Sequence, residues 1–393
     1  MNKSIYMDHA ATTYTKPEVL EEMIPYFTTY FGNPSSIYSL SRETKKAIDI
    51  ARDKVAKAIN SNENEIYFTG GGSEADNFAI KGIASAYKQK GNHIITTVIE
   101  HHAVLHTCEY LAKNGFEITY LPVDEYGFIN IKDLENAMTD KTILVSIMFA
   151  NNEIGTIEPI KEIGALCRSK KILFHTDAVQ AVGHIPVDVK EMNIDLLSLA
   201  AHKFYGPKGV GALYVRKGIK VENLIHGGGQ ERNKRAGTEN VAGIVGLGKA
   251  LELATQNMDD NNKKLVYLRD KLINGLLEIP YSKLNGPISE NRLPGNSNIC
   301  FKFIEGESIL LLLDANGIAG SSGSACTSGS LDPSHVLLAI GVPIEIAHGS
   351  LRLSLGDATT EEEVDFVIET VPKIVKRLRD MSPLWDDFLK EEK

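Results

Sequence analysis

Two side chains with the chemistry of a cofactor site follow two neighbouring apolar runs of the chain. Asp177 closes one run, and Lys203 follows the next. A lysine amine forms a Schiff base with the aldehyde of pyridoxal phosphate, and a carboxylate keeps the pyridine nitrogen protonated so that the ring takes up electrons. A lone lysine is more often a solvated surface residue. The pair, with Gln180 and His202 in the same window, predicts a pyridoxal phosphate site.

A glycine-rich turn, Gly70-Gly71-Gly72-Ser73, lies between a predicted strand and a predicted helix. Glycines let the backbone approach an anion, and the start of a helix supplies free N–H groups and a positive dipole. Ser73 also suits the N-cap of that helix, which is a purely structural role. Because the turn accompanies Lys203, we expect it to bind the cofactor phosphate.

Polar residues follow two further predicted strands. His101 and His102 come after one strand, and only one of them can face the site. A histidine there can stack on a planar ring and transfer protons near neutral pH, or it can cap a helix. Asn151 and Asn152 follow the other strand, where either a turn or a bound ligand would satisfy their amides. The residue types alone leave both pairs open.

One cysteine and one arginine in the last third of the chain complete the candidate set. Cys326 lies among small residues that cannot pack it into a core, which is the setting of a reactive thiol, whereas Cys300 is expected to be buried. Arg352 alternates with apolar residues on a short predicted strand. It is either a solvated residue on an outer face or a clamp for a substrate carboxylate. The four cysteines show no metal-ligand spacing, so we expect no metal site.

Alternating short apolar runs and amphipathic runs predict the elements that position these residues. We expect strands over Glu65–Thr69, His93–Ile99, Glu117–Val123, Thr142–Ala150, Ile172–His175, Leu196–Leu199 and Gly211–Val215. Between them we expect helices that include Ser73–Lys90, Val104–Asn114, Ile131–Met138 and Pro159–Ser169. This alternation predicts an α/β fold with a mainly parallel central sheet covered by helices on both faces. Ligands bind such sheets at the carboxyl ends of the strands.

Length and composition limit the domain organisation and the classes of function that the chain can have. A chain of 393 residues is expected to form two domains. After Leu253 the residue pattern changes to one that predicts a smaller α+β domain. We predict a large domain over residues 15–256 and a small domain over 1–14 and 257–393. The net charge of -9 argues against a nucleic-acid surface. No apolar run is long enough for a signal peptide or a membrane span, which predicts a cytoplasmic protein.

Together these segments resemble the cysteine desulfurases of the NifS/IscS type, which are fold-type I pyridoxal phosphate enzymes of aminotransferase class V. The resemblance covers nearly the whole chain. It is carried by Asp8–Thr13, Phe31–Ser36, Asp177–Gln180, His202-Lys203, Arg235–Thr238 and Ser321–Thr327. The last segment resembles the longer cysteine loop of the NifS and IscS group.

The resemblance implies a role for each candidate residue. Catalysis would fall to Lys203, Cys326 and His101, with Lys203 in the Schiff base and Cys326 attacking the substrate sulfur. The cofactor would be bound by Lys203, Asp177, Gln180, His101, Asn152, Gly72, Ser73, His202 and, from a second subunit, Thr238. The substrate would be bound by Arg352, Asn152 and Asn33. Members of the family usually carry a serine three residues before the lysine, where this chain has Ala200.

The implied activity is conversion of L-cysteine to L-alanine, with a persulfide formed on Cys326. The alternatives are a selenocysteine lyase, another class V lyase, or a structural scaffold that retains the cofactor. The resemblance implies a homodimer that passes sulfur to an acceptor protein for iron–sulfur cluster assembly, tRNA thiolation or nitrogenase-cluster assembly. Neither a membrane nor a nucleic acid is expected as a direct partner.

Overall fold

The computed structural model describes residues 4–288, 290–322 and 333–391. Within these ranges the strands are β1 (Ile5–Tyr6), β2 (Ile66–Thr69), β3 (His93–Thr97), β4 (Glu117–Leu121), β5 (Thr142–Ser146), β6 (Leu173–Asp177), β7 (Leu196–Ala200), β8 (Gly211–Val215), β9 (Ser282–Leu284), β10 (Asn296–Phe301), β11 (Ile318–Ala319) and β12 (Ser350–Ser354).

The helices begin with α1 (Pro17–Met23), α2 (Pro25–Thr28), α3 (Ser39–Ala58), α4 (Gly72–Tyr87), α5 (His102–Ala112), α6 (Ile131–Ala137), α7 (Ile160–Lys170) and α8 (Gln230–Asn233). They continue with α9 (Val241–Gln256), α10 (Met258–Leu277), α11 (Gly306–Ala315), α12 (His335–Ala339), α13 (Ile344–Ala347), α14 (Glu361–Asp380) and α15 (Pro383–Glu391). Short 3-10 turns cover Glu63–Glu65 and Ala201–Lys203.

The central sheet has the strand order β2-β8-β7-β6-β5-β3-β4. Strands β4, β3, β5, β6 and β7 are parallel, whereas β8 runs antiparallel to both of its neighbours. Since β2 is antiparallel to β8, it runs in the same direction as β7. The carboxyl ends of β2, β3, β5, β6 and β7 therefore share one edge of the sheet, and the candidate residues follow these ends.

Helices cover both faces of this sheet, as the sequence predicts. Successive residues of a strand point to opposite faces. Leu196 accordingly joins a core with residues of α4 and α5, while Leu197 joins a core with residues of α3, α7 and α9. Because both faces are buried, the strands are continuous apolar runs, which is why the alternation of elements was easy to read from the sequence.

A second core lies in the carboxyl-terminal part of the chain. It joins the antiparallel sheet β12-β10-β9 to α10, α11 and α14, and it includes Met7 next to β1. Strand β1 pairs with β11, so the start of the chain packs with this second unit. The helical conformation is interrupted between α9 and α10 at Asn257. We keep the predicted division between residues 256 and 257 as a proposal that these contacts support.

Candidate active site

A cavity of about 340 Å³ opens at the shared edge of the sheet. Nine of the residues predicted to bind cofactor or substrate line it: Gly72, Ser73, His101, Asn152, Asp177, Gln180, His202, Lys203 and Arg352. Ala10, Ala11, Asp76, Met148, Ala150, Val179 and Ala200 complete the lining. A larger groove of about 980 Å³ lies against α14 and α15 and contains none of the predicted site residues.

Lys203 ends the 3-10 turn that follows β7, and its amine reaches into the cavity. Its Nζ donates hydrogen bonds to the main-chain oxygens of Ala10, at 2.6 Å, and Ala11, at 2.8 Å. The neighbouring His202 places Nδ1 at 3.1 Å from the hydroxyl of Thr12. Burial lowers the pKa of His202 to about 4, so its ring is neutral at physiological pH. The amino-terminal segment thus forms one wall of the site.

Asp177 is the last residue of β6, the strand next to β7. Its Oδ1 accepts a hydrogen bond from the backbone N–H of Val179 at 2.9 Å. Burial raises the pKa of Asp177, and the charges of His101 and Lys203 together with that backbone bond oppose the shift. Gln180, in the turn after β6, donates from Nε2 to the main-chain oxygen of Ala10 at 3.0 Å.

The glycine turn after β2 leaves the start of α4 uncapped. Gly71 occupies the N-cap position and no side chain bonds the first N–H groups, so Ser73 does not take the alternative role of an N-cap. Ser73 lies one position inside the helix and faces the cavity. A Cβ added to Gly72 would lie only 2.8 Å from a methyl group of Val179 and 3.5 Å from the Cβ of Ala200. The turn therefore holds free N–H groups, and the space at Gly72 is too small for a larger residue.

The structure resolves the pair of histidines. His101 is the N-cap of α5, and its Nδ1 accepts from the N–H of Ala103 at 3.1 Å, so Nε2 carries the proton in the neutral ring. His101 lines the cavity, and burial lowers its pKa. His102 points away and packs against the rings of His106, with centroids 5.0 Å apart, and His335, with centroids 4.8 Å apart.

The pair of asparagines divides in the same way. Asn151 is buried and shapes the turn, because its Oδ1 accepts from the N–H groups of Glu153 and Ile154 at 2.8 and 3.0 Å. Asn152 lines the cavity. The turn satisfies the amide of Asn151, whereas the position of Asn152 suits the ligand alternative.

Arg352 is buried on β12, so the alternative of a solvated outer residue is wrong. It is 2% exposed, and the strand on which it lies is buried throughout. Its Nη2 lies 2.9 Å from Asp8 Oδ1, and its Nη1 lies 3.2 Å from the main-chain oxygen of Asn152. Its Nε is buried with no hydrogen-bond partner. A guanidinium that keeps a free donor beside the cavity suits a carboxylate ligand.

Of the three remaining predicted site residues, two lie elsewhere in the structure and one lies outside the described residues. Thr238 and Asn33 are exposed on the surface of the chain. Cys326 lies outside the described residues, which resume at Pro333. The other cysteines are buried, and burial raises the pKa values of the Cys108 and Cys167 thiols to about 12 and that of Cys300 to about 11.

Sequence reasoning missed Asp76, which lies on α4 beneath the cavity. Asp76 is 1% exposed. The signal was present, because Ala79, Ile80 and Ile83 follow at the spacing of one helix face and all are buried. An acid in line with such a face is a buried acid.

The residues that line the cavity fit pyridoxal phosphate. A lysine and an ionisable carboxylate come from adjacent parallel strands, and an uncapped start of a helix offers N–H groups to a phosphate. A neutral imidazole and a buried arginine are suited to proton transfer and to carboxylate binding. Among residues 4–288, 290–322 and 333–391, no group of three or more His, Cys, Asp or Glu is arranged to hold a metal ion. In the same ranges no helix has the length and apolar character of a membrane span.

Comparisons with known proteins agree with this geometry. The aminotransferase class-V family matches residues 5–367. A protein of Clostridium botulinum named "Cysteine desulfurase IscS" is 68% identical over 394 residues, covering 100% of this chain and 99% of that protein. A protein of the same name from Methanosarcina thermophila is 63% identical over 383 residues, covering 98% and 95%. A solved structure titled "NIFS-LIKE PROTEIN" superposes with a TM-score of 0.90 at 40% identity, covering 95% of this chain and 100% of that chain.

Proposed function

Because the chain belongs to the aminotransferase class-V family and is a pyridoxal-phosphate-dependent cysteine desulfurase, we propose that the cavity at the sheet edge is its active site. One observation carries this proposal. The ends of five strands that run in one direction, together with β12, bring Lys203, Asp177, His101 and Arg352 to a single cavity. The substrate is L-cysteine.

Each side chain has a task that its surroundings support. Lys203 would hold the cofactor through its amine, and Asp177 would accept a hydrogen bond from the pyridine nitrogen. The free N–H groups at the start of α4, with Ser73 and His202, would bind the phosphate. When bound, pyridoxal phosphate supplies an electron sink next to the substrate carbons. The carboxylate of L-cysteine would bind to Arg352.

Proton transfer falls to Lys203 and His101. His101 presents Nε2 to the cavity because Nδ1 is engaged by the backbone at the start of α5. Since burial lowers its pKa, the ring is neutral at physiological pH, and its Nε2–H can donate a proton or a hydrogen bond to a group in the cavity. Lys203 shares the cavity and can exchange a proton with a substrate once its amine is released.

The sulfur acceptor within the chain is Cys326. Its thiolate attacks the sulfur of L-cysteine, so that an S–S bond forms while the C–S bond breaks. The electron pair of the broken bond stays with the carbon fragment, which takes up protons and leaves as L-alanine. The described thiols do not suit this role, because burial raises the pKa values of Cys108, Cys167 and Cys300 and disfavours their thiolates.

A homodimer is the proposed assembly. Phe27, Phe31, Ile37 and Tyr38 are large apolar residues of one region, around α2 and the start of α3, and they are 62%, 68%, 94% and 53% exposed in the single chain. Burial of this surface by a second copy would remove an unfavourable apolar contact with water. Thr238 is exposed, as a residue that completes the partner's phosphate site would be. Sedimentation of the holoenzyme tests this assembly, and a monomer at micromolar concentration would contradict it.

Iron–sulfur cluster assembly is the proposed destination of the sulfur. The resemblance to the NifS/IscS type implies it, and relatives that match 98–100% of the chain are named "Cysteine desulfurase IscS". Transfer of labelled sulfur from the persulfide to an iron–sulfur scaffold protein, compared with a tRNA-thiolation protein, tests it. Faster transfer to the tRNA-thiolation protein would overturn this part of the proposal.

Two lysines of the same turn allow a matched test of the active site. Lys203 lines the cavity, whereas Lys208 donates to the main-chain oxygen of Thr13 at 2.9 Å and does not. Lys203→Ala should abolish both alanine formation from L-cysteine and the visible absorbance of the bound cofactor. Lys208→Ala should keep both. Alanine production by Lys203→Ala at the wild-type rate would refute the assignment.

A further inference from the structure

Asp76 is a fully buried acid that the proposed mechanism does not use. It lies on the second turn of α4, lines the cavity and is 1% exposed. Its Oδ1 has no hydrogen-bond partner and lies 3.7 Å from Nε2 of His175. The carboxyl of Asp76 also contacts the carboxyl of Asp177 and the hydroxyl of Ser198. Both acids line the same cavity, and two buried carboxyl groups that share a hydrogen bond require a proton between them.

The charges around Asp76 determine which acid carries the proton. Glu100, Asp76 and Asp177 are all buried. The titratable groups that face them are His101, Lys203 and His175, with the acid Glu158 and the thiol of Cys108 beside Glu100.

His175 cannot compensate a carboxylate. Its two ring nitrogens bond Ser146 at 2.8 Å and Ser198 at 3.0 Å, and burial lowers its pKa to about 3. His101 is also neutral and Arg352 is paired with Asp8, so Lys203 is the cation that remains for these acids. One cation cannot balance three buried carboxylates.

Asp177 is the acid that ionises. Burial raises the pKa of Asp177, but the hydrogen bond from the N–H of Val179 and the charge of Lys203 oppose this shift. The pKa of Asp76 is raised well above its ordinary value by burial and by the nearby charge of Asp177. Glu100 accepts from Thr97 and Met148 yet is also shifted strongly upward by burial.

We propose that Asp76 is a positioning residue that remains a neutral carboxylic acid and donates its proton in a hydrogen bond to the carboxylate of Asp177. The donor orients Asp177 and limits its basicity toward the pyridine nitrogen of the cofactor. This inference rests on the proposed function of the cavity, and it assigns to Asp76 a role in setting how strongly the bound ring withdraws electrons.

Substitution of Asp76 changes the hydrogen-bond donor to Asp177 and leaves the proposed cofactor-binding residues in place. Asp76→Asn keeps a neutral group with N–H donors, whereas Asp76→Leu is of similar size and donates nothing. A hydrogen bond to a carboxylate shifts its pKa by about one unit. Loss of the donor leaves more negative charge on Asp177 next to the ring, which stabilises the protonated linkage between Lys203 and the cofactor.

The measurement is the pH titration of the visible absorbance band of the purified holoenzyme. The midpoint of the Asp76→Leu titration should rise by roughly half a unit or more, because part of the change at Asp177 reaches the linkage across the ring. The midpoint of Asp76→Asn should stay within about 0.2 units of wild type, since a neutral group replaces a neutral group. A midpoint of Asp76→Leu equal to wild type would overturn the proposal, and so would a fall for Asp76→Asn, which is the result expected if the native acid were charged.

A second readout remains if Asp76→Leu does not fold. Infrared spectra of wild type and Asp76→Asn, each made with heavy-carbon-labelled aspartate, should differ by the carbonyl band of a protonated acid. The label separates Asp76 from Glu100. Absence of this band at neutral pH contradicts the proposal. If wild type shows no visible band that Lys203→Ala removes, the assignment of the active site fails as well. If that band is present but the Asp76 variants give the contradicting results, only the role of Asp76 is overturned.

Discussion

Ala200→Ser is expected to tighten the binding of pyridoxal phosphate. Ala200 ends β7, is 1% exposed and lines the cavity beside the glycine turn. A Cβ on Gly72 would lie 3.5 Å from the Cβ of Ala200, so this side chain faces the start of α4 where we place the phosphate. A hydroxyl at this position can therefore donate to a phosphate oxygen.

The expected gain follows from the charge of the ligand. A hydrogen bond to a charged group contributes roughly 1.5–3 kcal/mol. Since each 1.4 kcal/mol changes an equilibrium constant tenfold, the Kd of the cofactor should fall by roughly 10- to 100-fold. A hydroxyl is small and would lie next to a glycine, so the packing cost of Ala200→Ser is low. The upper part of the expected range of Kd values is reached if the serine adopts the rotamer that points toward Gly72.

The assay is a titration of apoenzyme with the cofactor, followed by its visible absorbance, for wild type and Ala200→Ser. Pyridoxal, which lacks the phosphate, is the matched control. Its affinity should not change, because the added hydroxyl has no anion to contact. An unchanged Kd for pyridoxal phosphate, or an equal gain for both ligands, would refute the placement of the phosphate.

Three further predictions address the substrate, the pH dependence and the thiols. Arg352→Lys keeps a cation beside Asp8 but loses the bidentate donor, so the KM for L-cysteine should rise roughly tenfold or more at similar cofactor content. An unchanged KM would exclude Arg352 as the residue that binds the substrate carboxylate. Burial raises the pKa of Glu153 from 4.5 to about 7, so its contribution to the free energy of unfolding is fully present below about pH 4.5 and is lost as the pH rises through 7. Glu153→Gln should therefore gain stability relative to wild type across that window, by about 3 kcal/mol at most, and a pH-independent difference in denaturant unfolding would contradict this. Iodoacetamide at neutral pH should label one thiol of the native chain, Cys326; labelling that survives Cys326→Ser would show that a buried thiol is accessible.

Much of the sheet could be predicted from the sequence because its strands are buried on both faces. Strand Gly211–Val215 was predicted with its observed ends, and β6 was predicted to within two residues. Predicted strands such as Thr142–Ala150 were too long, since the apolar character continues into the buried turn beyond Ser146. An apolar run indicates that residues are buried, and buried residues continue beyond the last hydrogen bond between strands. The run therefore does not predict where a strand ends.

The site was predictable where a residue follows directly on a strand. Asp177 and Lys203 could be assigned because parallel strands bring their carboxyl ends to one edge. His101 and Asn152 could not be separated from their neighbours, because adjacent residues differ only in the direction that a turn gives them. Asp76 was missed because the first turns of helices commonly carry solvated acids, although the buried face of Ala79, Ile80 and Ile83 marks it as a buried acid.

Identification of the sulfur-bearing residue tests the central claim most directly. Purified holoenzyme is mixed with L-cysteine for a single turnover, L-alanine is quantified, and the protein is digested and analysed by mass spectrometry under non-reducing conditions. The account predicts one alanine for each active site and the added mass of one sulfur atom on the peptide that contains Cys326. Alanine formation with the added sulfur on Cys108, Cys167 or Cys300, or on no cysteine at all, would contradict it.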